Sequence, residues 1–312
     1  MSTVGFWREL RQDNRNIMLT GFGQLQRTWY IFPDGTGPRG SFTNFTDLAP
    51  NLRSRDIIVL GGVLREQAVA PLLVYDVTII GAANRPRQAT TATGGDPSAG
   101  TVTGGGACWL PPASGSVATT PLLELRAAGW SFENIEFSPH TSSAAIRLTR
   151  SGSVDTTDAS HARFSECYFS GNGGTGQIGI EDNGGAGRVL VENCRFDGLA
   201  SAILSLTTAA AIPLGWHIKD NRFQQNTNDV KMSLSYAIIE RNKFMTAGSG
   251  STNKVISTTF ILTQGGNNHV LLNLFSNTEA QIAPTSGFTG ASTDTWMNYV
   301  NDQAALAFGQ PA

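Results

Sequence analysis

Through the middle of the chain, apolar residues occupy alternate positions, give way to a polar pair, and then alternate again. In Val189-Leu190-Val191-Glu192-Asn193-Cys194-Arg195-Phe196, Val189 and Val191 share one parity while Cys194 and Phe196 share the other. On one flat strand those pairs would face opposite sides. A bend at the polar pair brings both to a common interior, so the pattern predicts two short strands meeting at a corner. It recurs at 130–137, 162–169, 216–223 and 237–244, with a worn copy at 268–275. The terminal Phe residues lie 32, 27, 27, 21 and 31 residues apart, which suits one solenoid coil per copy joined by loops of unequal length.

The expected fold is all-β, a right-handed parallel β-helix. Equivalent residues on stacked coils lie about 4.8 Å apart. Phe137, Phe169, Phe196, Phe223 and Phe244 should then form an aromatic ladder inside the coil. Asn221, Asn242 and Asn273 take the position held by Cys167 and Cys194 in earlier copies, where stacked amides can satisfy one another and the turn backbone. Trp130 and Trp216 open their copies on the inward parity and read as core.

Residues 1–50 lack the repeat and read as an N-terminal arm or cap. Phe6, Trp7, Leu10 and Ile17 make a weak helical stripe, and Trp29-Tyr30-Ile31-Phe32 ends at a Pro-Asp-Gly turn. Phe6, Trp7, Leu10, Trp29 and Tyr30 are the candidate contacts with a partner; capping of the first coil would use the same aromatics. Residues 51–280 form the helix, interrupted by a loop-rich stretch at 82–120. Residues 281–312, with Trp296, Met297 and Tyr299, form a C-terminal cap or subunit-contact segment.

Charged residues make up only 15% of the chain, against roughly 25% in an average soluble domain. Glycine, serine, threonine and asparagine take their place, as a fold of many turns requires. A net charge of −2 with no basic face excludes a nucleic-acid footprint. No apolar run approaches the ~18 residues of a membrane span. Met1–Glu9 lacks a basic region followed by an apolar core, so no secretory signal is expected. Cys108, Cys167 and Cys194 are odd in number and read as buried free thiols.

Candidate chemistry is thin. Glycan cleavage would need grouped acids, and the candidates are Asp155, Asp158, Glu181 and Asp182 with His161 and Arg163 nearby. Glu181 and Asp182 are adjacent, so a strand sends them to opposite faces. Asp158-Ala159-Ser160-His161 equally suits a turn. His140, His161, His217 and His269 are scattered without metal-ligand spacing, and Gly171–Gly176 lacks the Lys-Ser/Thr of a phosphate loop. The expectation is a chain without catalytic residues, cofactor or metal.

The segments 158–164, 176–182, 189–196 and 212–218 together resemble pectate-lyase-like β-helix proteins of tailed-phage virions. The resemblance covers about residues 50–280. It implies a homotrimer on the virion, either a decoration (cement) protein bound to the major capsid protein or a tail spike. Polysaccharide-degrading spikes carry a larger head-binding domain than this short arm. The expected function is therefore a structural, non-enzymatic capsid decoration protein at the capsid surface, without nucleic acid or membrane partners. The alternative is a tail-associated spike or fibre that binds or cleaves host polysaccharide. A secreted bacterial adhesin or lyase is disfavoured by the expected lack of a signal.

Overall fold

The computed structural model describes residues 16–19, 25–82, 106–150, 158–171, 176–205, 213–232, 234–245, 254–256, 267–275, 295–300 and 303–304. The chain is a right-handed parallel β-helix, each full coil giving one strand to each of three faces. The first face runs from Leu25–Ile31 through Ile57–Leu60, Thr78–Gly81, Ser131–Glu133, Arg163–Ser165, Leu190–Glu192, His217–Lys219 and Ile238–Glu240 to His269–Phe275. The second follows immediately in each coil, as with Tyr168–Ser170, Arg195–Asp197 and Arg222–Gln224. The third includes Ala68–Val69, Leu123–Leu125, Ala144–Thr149, Ile178–Asn183, Ser201–Ser205 and Asn228–Lys231.

The corner between the first two faces lies at the polar pair. Its second residue adopts the left-handed conformation in coil after coil: Asn134, Glu166, Asn193, Asp220, Arg241 and Leu272 all have φ between 52° and 56°. That residue turns the chain and resets the parity. Asn and Asp tolerate this conformation, whereas Glu166, Arg241 and Leu272 hold it against a side-chain clash.

Register then sorts side chains into columns. Ile58, Ile79, Phe132, Phe164, Val191, Ile218, Ile239 and Val270 align on the inner side of the first face, each nearly fully buried. On the second, Phe137, Phe169, Phe196, Phe223 and Phe244 stack with centroids 5.2, 4.7, 4.9 and 4.8 Å apart and planes within 17°. Leu123, Ile146, Ile180, Ile203 and Val230 complete the core from the third. Trp130 and Trp216 are fully buried, their indole N–H groups donating to Val74 O and Ala186 O at 2.8 and 2.7 Å.

Between those columns runs the corner column. Asn221 Nδ2 donates to Val191 O at 2.9 Å and to Asn242 Oδ1 at 3.0 Å, and Asn242 Oδ1 also accepts from Asn221 N at 2.9 Å. Asn242 repeats the pattern with Ile218 O and Asn273. Cys167 and Cys194 continue the column as free buried thiols; burial, then the neighbouring Cys167, pushes the Cys194 thiol up.

The coil starts earlier than the expected boundary at residue 51. Leu25–Ile31 already pairs in parallel with Ile57–Leu60, and Asn16–Leu19 pairs antiparallel on its outer edge. The short helix Phe45–Leu48 closes this end: its fully buried Phe45 ring lies 5.6 Å from Trp109 and 6.2 Å from Trp130. Asn44 caps the helix by accepting from Asp47 N at 2.7 Å, and the Glu66 carboxylate accepts from Phe45 N and from Thr46. At the other end, Thr295–Val300 adds a further parallel strand to His269–Phe275.

Candidate interaction surface

Two kinds of surface stand out. The first is apolar and lies at the N-terminal end of the coil. The loop from Val69 to Tyr75 turns the chain from the third face back to the first. It leaves Val69 45%, Leu72 47%, Leu73 57% and Tyr75 38% exposed. Within this turn Leu73 has φ 60°, and Asp76, at the start of the next first-face segment, φ 58°, both left-handed. Val117, 54% exposed, is tied to the same region because Gln67 donates to Val117 O and Thr120 O at 2.8 Å and accepts from Val117 N at 2.9 Å. Beside these side chains runs an open groove of about 440 Å³, lined by Thr46, Ala49, Pro50, Gln67, Ala68, Val69 and Pro71.

The second kind is charged and follows from register. On the outer side of the first face, Glu192 sits between Arg163 and Lys219, with Lys219 Nζ 3.0 Å away. Burial pushes the Glu192 carboxyl up, but the two cations outweigh it and hold the group below its usual range. One coil on, His217 Nε2 lies 3.0 Å from Glu240 Oε1; Arg241 bridges Glu240 and Asp220 at 2.9 and 2.8 Å. The Arg241 hydrogen bonds lower the Asp220 carboxyl. The second face carries Tyr168, Arg195 and Asp197 outward, with the Arg195 guanidinium 5.0 Å over the Tyr168 ring and 2.7 Å from Asp197. Burial, then Asp197, pushes the Tyr168 hydroxyl up to about 12. The third face adds Arg147–Glu181 at 2.7 Å and Arg126–Glu124 at 2.9 Å.

The residues singled out in the sequence are dispersed. Phe6, Trp7, Leu10 and Asp155 lie outside the described residues. Trp29, a candidate for partner contact or for capping the first coil, is 5% exposed and belongs to this chain's own core: its indole donates to Asp56 Oδ2 at 2.8 Å and Phe42 packs edge-on at 5.8 Å. The parity of a first-coil strand explains this placement, since Trp29 shares the inward register of Ile58. Tyr30, on the opposite parity, is half-buried, and its backbone carbonyl accepts from Phe42 N at 2.8 Å.

The acids do not converge. Glu181 faces outward to Arg147, while Asp182 points into the coil in the column of Leu125, Leu148 and Ser205. Asp182 accepts from Gly185 N, Ala186 N and Ser205 Oγ at 3.1, 2.8 and 2.8 Å, and so shapes the turn that follows. Burial pushes it up to about 6 against those bonds. Asp158 accepts from Ser160 N at 2.8 Å, a turn bond, and His161 occupies a left-handed corner at φ 61°. Among the described residues no group of three or more His, Cys, Asp or Glu could hold a metal ion. The columns Glu192–Lys219–Glu240 and the exposed Leu72-Leu73 pair escaped the sequence reading. The polar pair of each repeat marks the first column once register is known.

Neither a protein-family model nor a curated protein matches the chain. Two solved structures are similar in fold, both of DFA-IIIase from Arthrobacter chlorophenolicus A6. One, in complex with GF2, is 15% identical, with a TM-score of 0.35 over 80% of this chain and 76% of that one. The other, mutant C387A in complex with DFA-III, is 15% identical, with a TM-score of 0.31 over 81% and 78%. The likeness speaks to the coil alone and assigns no residue or substrate here. It does correct one expectation. Coils of this kind carry an enzyme in those proteins, so the exclusion of enzymatic activity, drawn from scattered acids, is withdrawn.

Proposed function

We propose that the chain is a surface protein of a tailed-phage virion, acting first as a decoration protein that binds the major capsid protein on the outside of the shell as a homotrimer. The observation that carries this reading is the apolar end of the coil. Val69, Leu72, Leu73, Tyr75 and Val117 stand exposed together beside a groove, on a rod whose flanks are dressed in ion pairs. An apolar patch at the first coils suits a part that sits on a larger assembly; Leu214, Tyr236, Ile238 and Leu272 are exposed singly on later coils. The repeat's resemblance to virion β-helices points the same way. Binding adds to shell stability by mass action, because the bound protein must leave before the shell comes apart.

The test uses shells lacking the protein, to which the purified chain is added before sedimentation. The wild-type chain should cosediment and raise the temperature at which the shells open. The double substitution Leu72→Asp with Leu73→Asp should stay in the supernatant with its circular dichroism intact. Equal cosedimentation of the double variant would remove the basis for the reading.

A second reading is a tail-associated spike or fibre that contacts host polysaccharide. It is favoured by Tyr236, 64% exposed two residues before the Ile238–Glu240 strand, whose Glu240 pairs with His217. An exposed aromatic ring on a face that also carries ion-paired groups suits a sugar face. Incubation with host polysaccharide, scored for bound protein and new reducing ends, separates the two. Activity lost on Glu240→Gln would favour the spike.

A further inference from the structure

At the corner leading from the third face into the first, one residue per coil takes the left-handed conformation: Asp76, Gly129, His161, Arg188, Gly215 and Tyr236, with φ between 54° and 79°. Each stands two residues before a paired first-face position, so register puts all six in one column along the rod. Backbone bonds hold the stack, with Arg188 N donating to Leu214 O at 2.6 Å and Gly215 N to Ser235 O at 2.9 Å. The two glycines of the column differ. A Cβ on Gly129 would run into the Asp76 carboxylate, so that place is filled from the coil before. A Cβ on Gly215 would meet nothing beyond its chain neighbours closer than Arg188 Cγ at 3.7 Å, so that place is open. The corner does not itself call for glycine there, since Arg188 and Tyr236 hold the same conformation with full side chains. The result is a notch one coil wide. Arg188 walls one side and Tyr236, 64% exposed, the other, at two spacings of ~4.8 Å.

The charges beside the notch are unevenly satisfied. Glu192 is taken by Arg163 and Lys219, and Glu240 by His217 and Arg241. Arg188 is exposed and makes no ion pair among the described residues. We propose, resting on the polysaccharide reading above, that this notch binds the carboxylate-bearing unit of an acidic polysaccharide, a uronic acid. The Arg188 guanidinium presents a planar fork that matches a carboxylate. The Tyr236 ring offers an apolar face to the sugar ring, and Gly215 leaves the room between them. A neutral sugar leaves Arg188 unused, and a polyanion without rings leaves Tyr236 unused.

Titration with a galacturonate hexamer tests the site, with maltohexaose as the neutral control and inorganic polyphosphate as the ringless one. The wild-type chain should bind the galacturonate hexamer about tenfold or more tighter than either control. Arg188→Gln, which keeps a polar side chain and removes the charge, and Tyr236→Ala should each weaken it by about tenfold or more. Gly215→Asn should do the same with an unchanged melting temperature, because asparagine accepts the left-handed conformation and fills the notch. Lys243→Gln, at an exposed cation of the second face, should bind as the wild type does. Equal binding of maltohexaose or polyphosphate would overturn the acidic-sugar class, and equal binding by Arg188→Gln or Gly215→Asn would overturn the site. A chain that binds host polysaccharide but not the galacturonate hexamer would overturn this proposal and leave the polysaccharide reading standing. A chain that binds neither would remove both.

Discussion

Two interior columns run side by side along this molecule and are held by opposite means. The Phe ladder of the second face is apolar throughout, from Phe137 to Phe244. The corner column beside it changes chemistry along the axis: Cys167 and Cys194 in the middle coils give way to Asn221, Asn242 and Asn273. A ring in the ladder gains from burial whatever its neighbours do. An amide in the corner is stable only because the next coil supplies its partner. The ladder should therefore tolerate a local change locally, whereas the asparagine column should pass damage from coil to coil.

The largest effect expected is at the centre of the ladder. Phe196→Ala should cost about 3–5 kcal/mol in chemical denaturation, since the ring is fully buried and its stacked neighbours cannot close the space. Asn242→Ala should follow. It removes the acceptor of Asn221 N, at about 1–3 kcal/mol for a buried group left unpaired, while Asn221 Nδ2 keeps its bond to Val191 O. Hydrogen exchange should then quicken in the coils on both sides of Asn242, and quicken only locally for Phe196→Ala. The opposite distribution would break the comparison.

Two buried carboxyls of the third-face coils carry a pH signature. Asp229 is buried on the third face with Asn226 Nδ2 at 2.8 Å, and burial pushes its carboxyl up to about 8. A pKa raised in the folded state gives stability that is full below the ordinary carboxylate range and is lost as pH rises through the folded value. Asp182, raised to about 6, acts in the same direction. Thermal stability should fall as pH climbs from about 4 to 8. Asp229→Asn should flatten most of that slope, and an unchanged slope in the variant would dismiss Asp229 as its source.

The smallest effects expected are at the surface and the corner backbone. Glu166→Asn places a residue suited to the left-handed conformation at φ 54° and should raise stability by about 0.5–1 kcal/mol. Arg163→Ala removes one partner of Glu192, but the arginine side chain is half exposed and Lys219 remains, so the loss should stay below about 1 kcal/mol.

Much of this arrangement is written in the repeats and little of it elsewhere. Where each copy carries its polar pair, corner, ladder and inward tryptophan follow from parity alone. The first coils hide the same geometry. Ile57–Leu60 is apolar on both parities and is followed by Gly61 and Gly62, so no corner is visible, and the sequence leaves Trp29 open between partner contact and capping. Third-face strands begin after loops of unequal length, which is why the inward turn of Asp182 and the outward turn of Glu181 could be told apart only as opposite. The exposed Leu72-Leu73 pair left no trace, because a surface leucine and a core leucine look alike until the loop's left-handed residues are placed.

The central claim is that coils distant in sequence are stacked in register along one axis. Spin labels at Ser131 and Ile238 test it most directly, because those residues hold one outward position four strands apart on the first face. Stacking predicts a narrow distance distribution centred near about 19 Å, four spacings of ~4.8 Å, across more than a hundred residues of chain. A broad distribution, or one centred well beyond ~30 Å, would contradict the account.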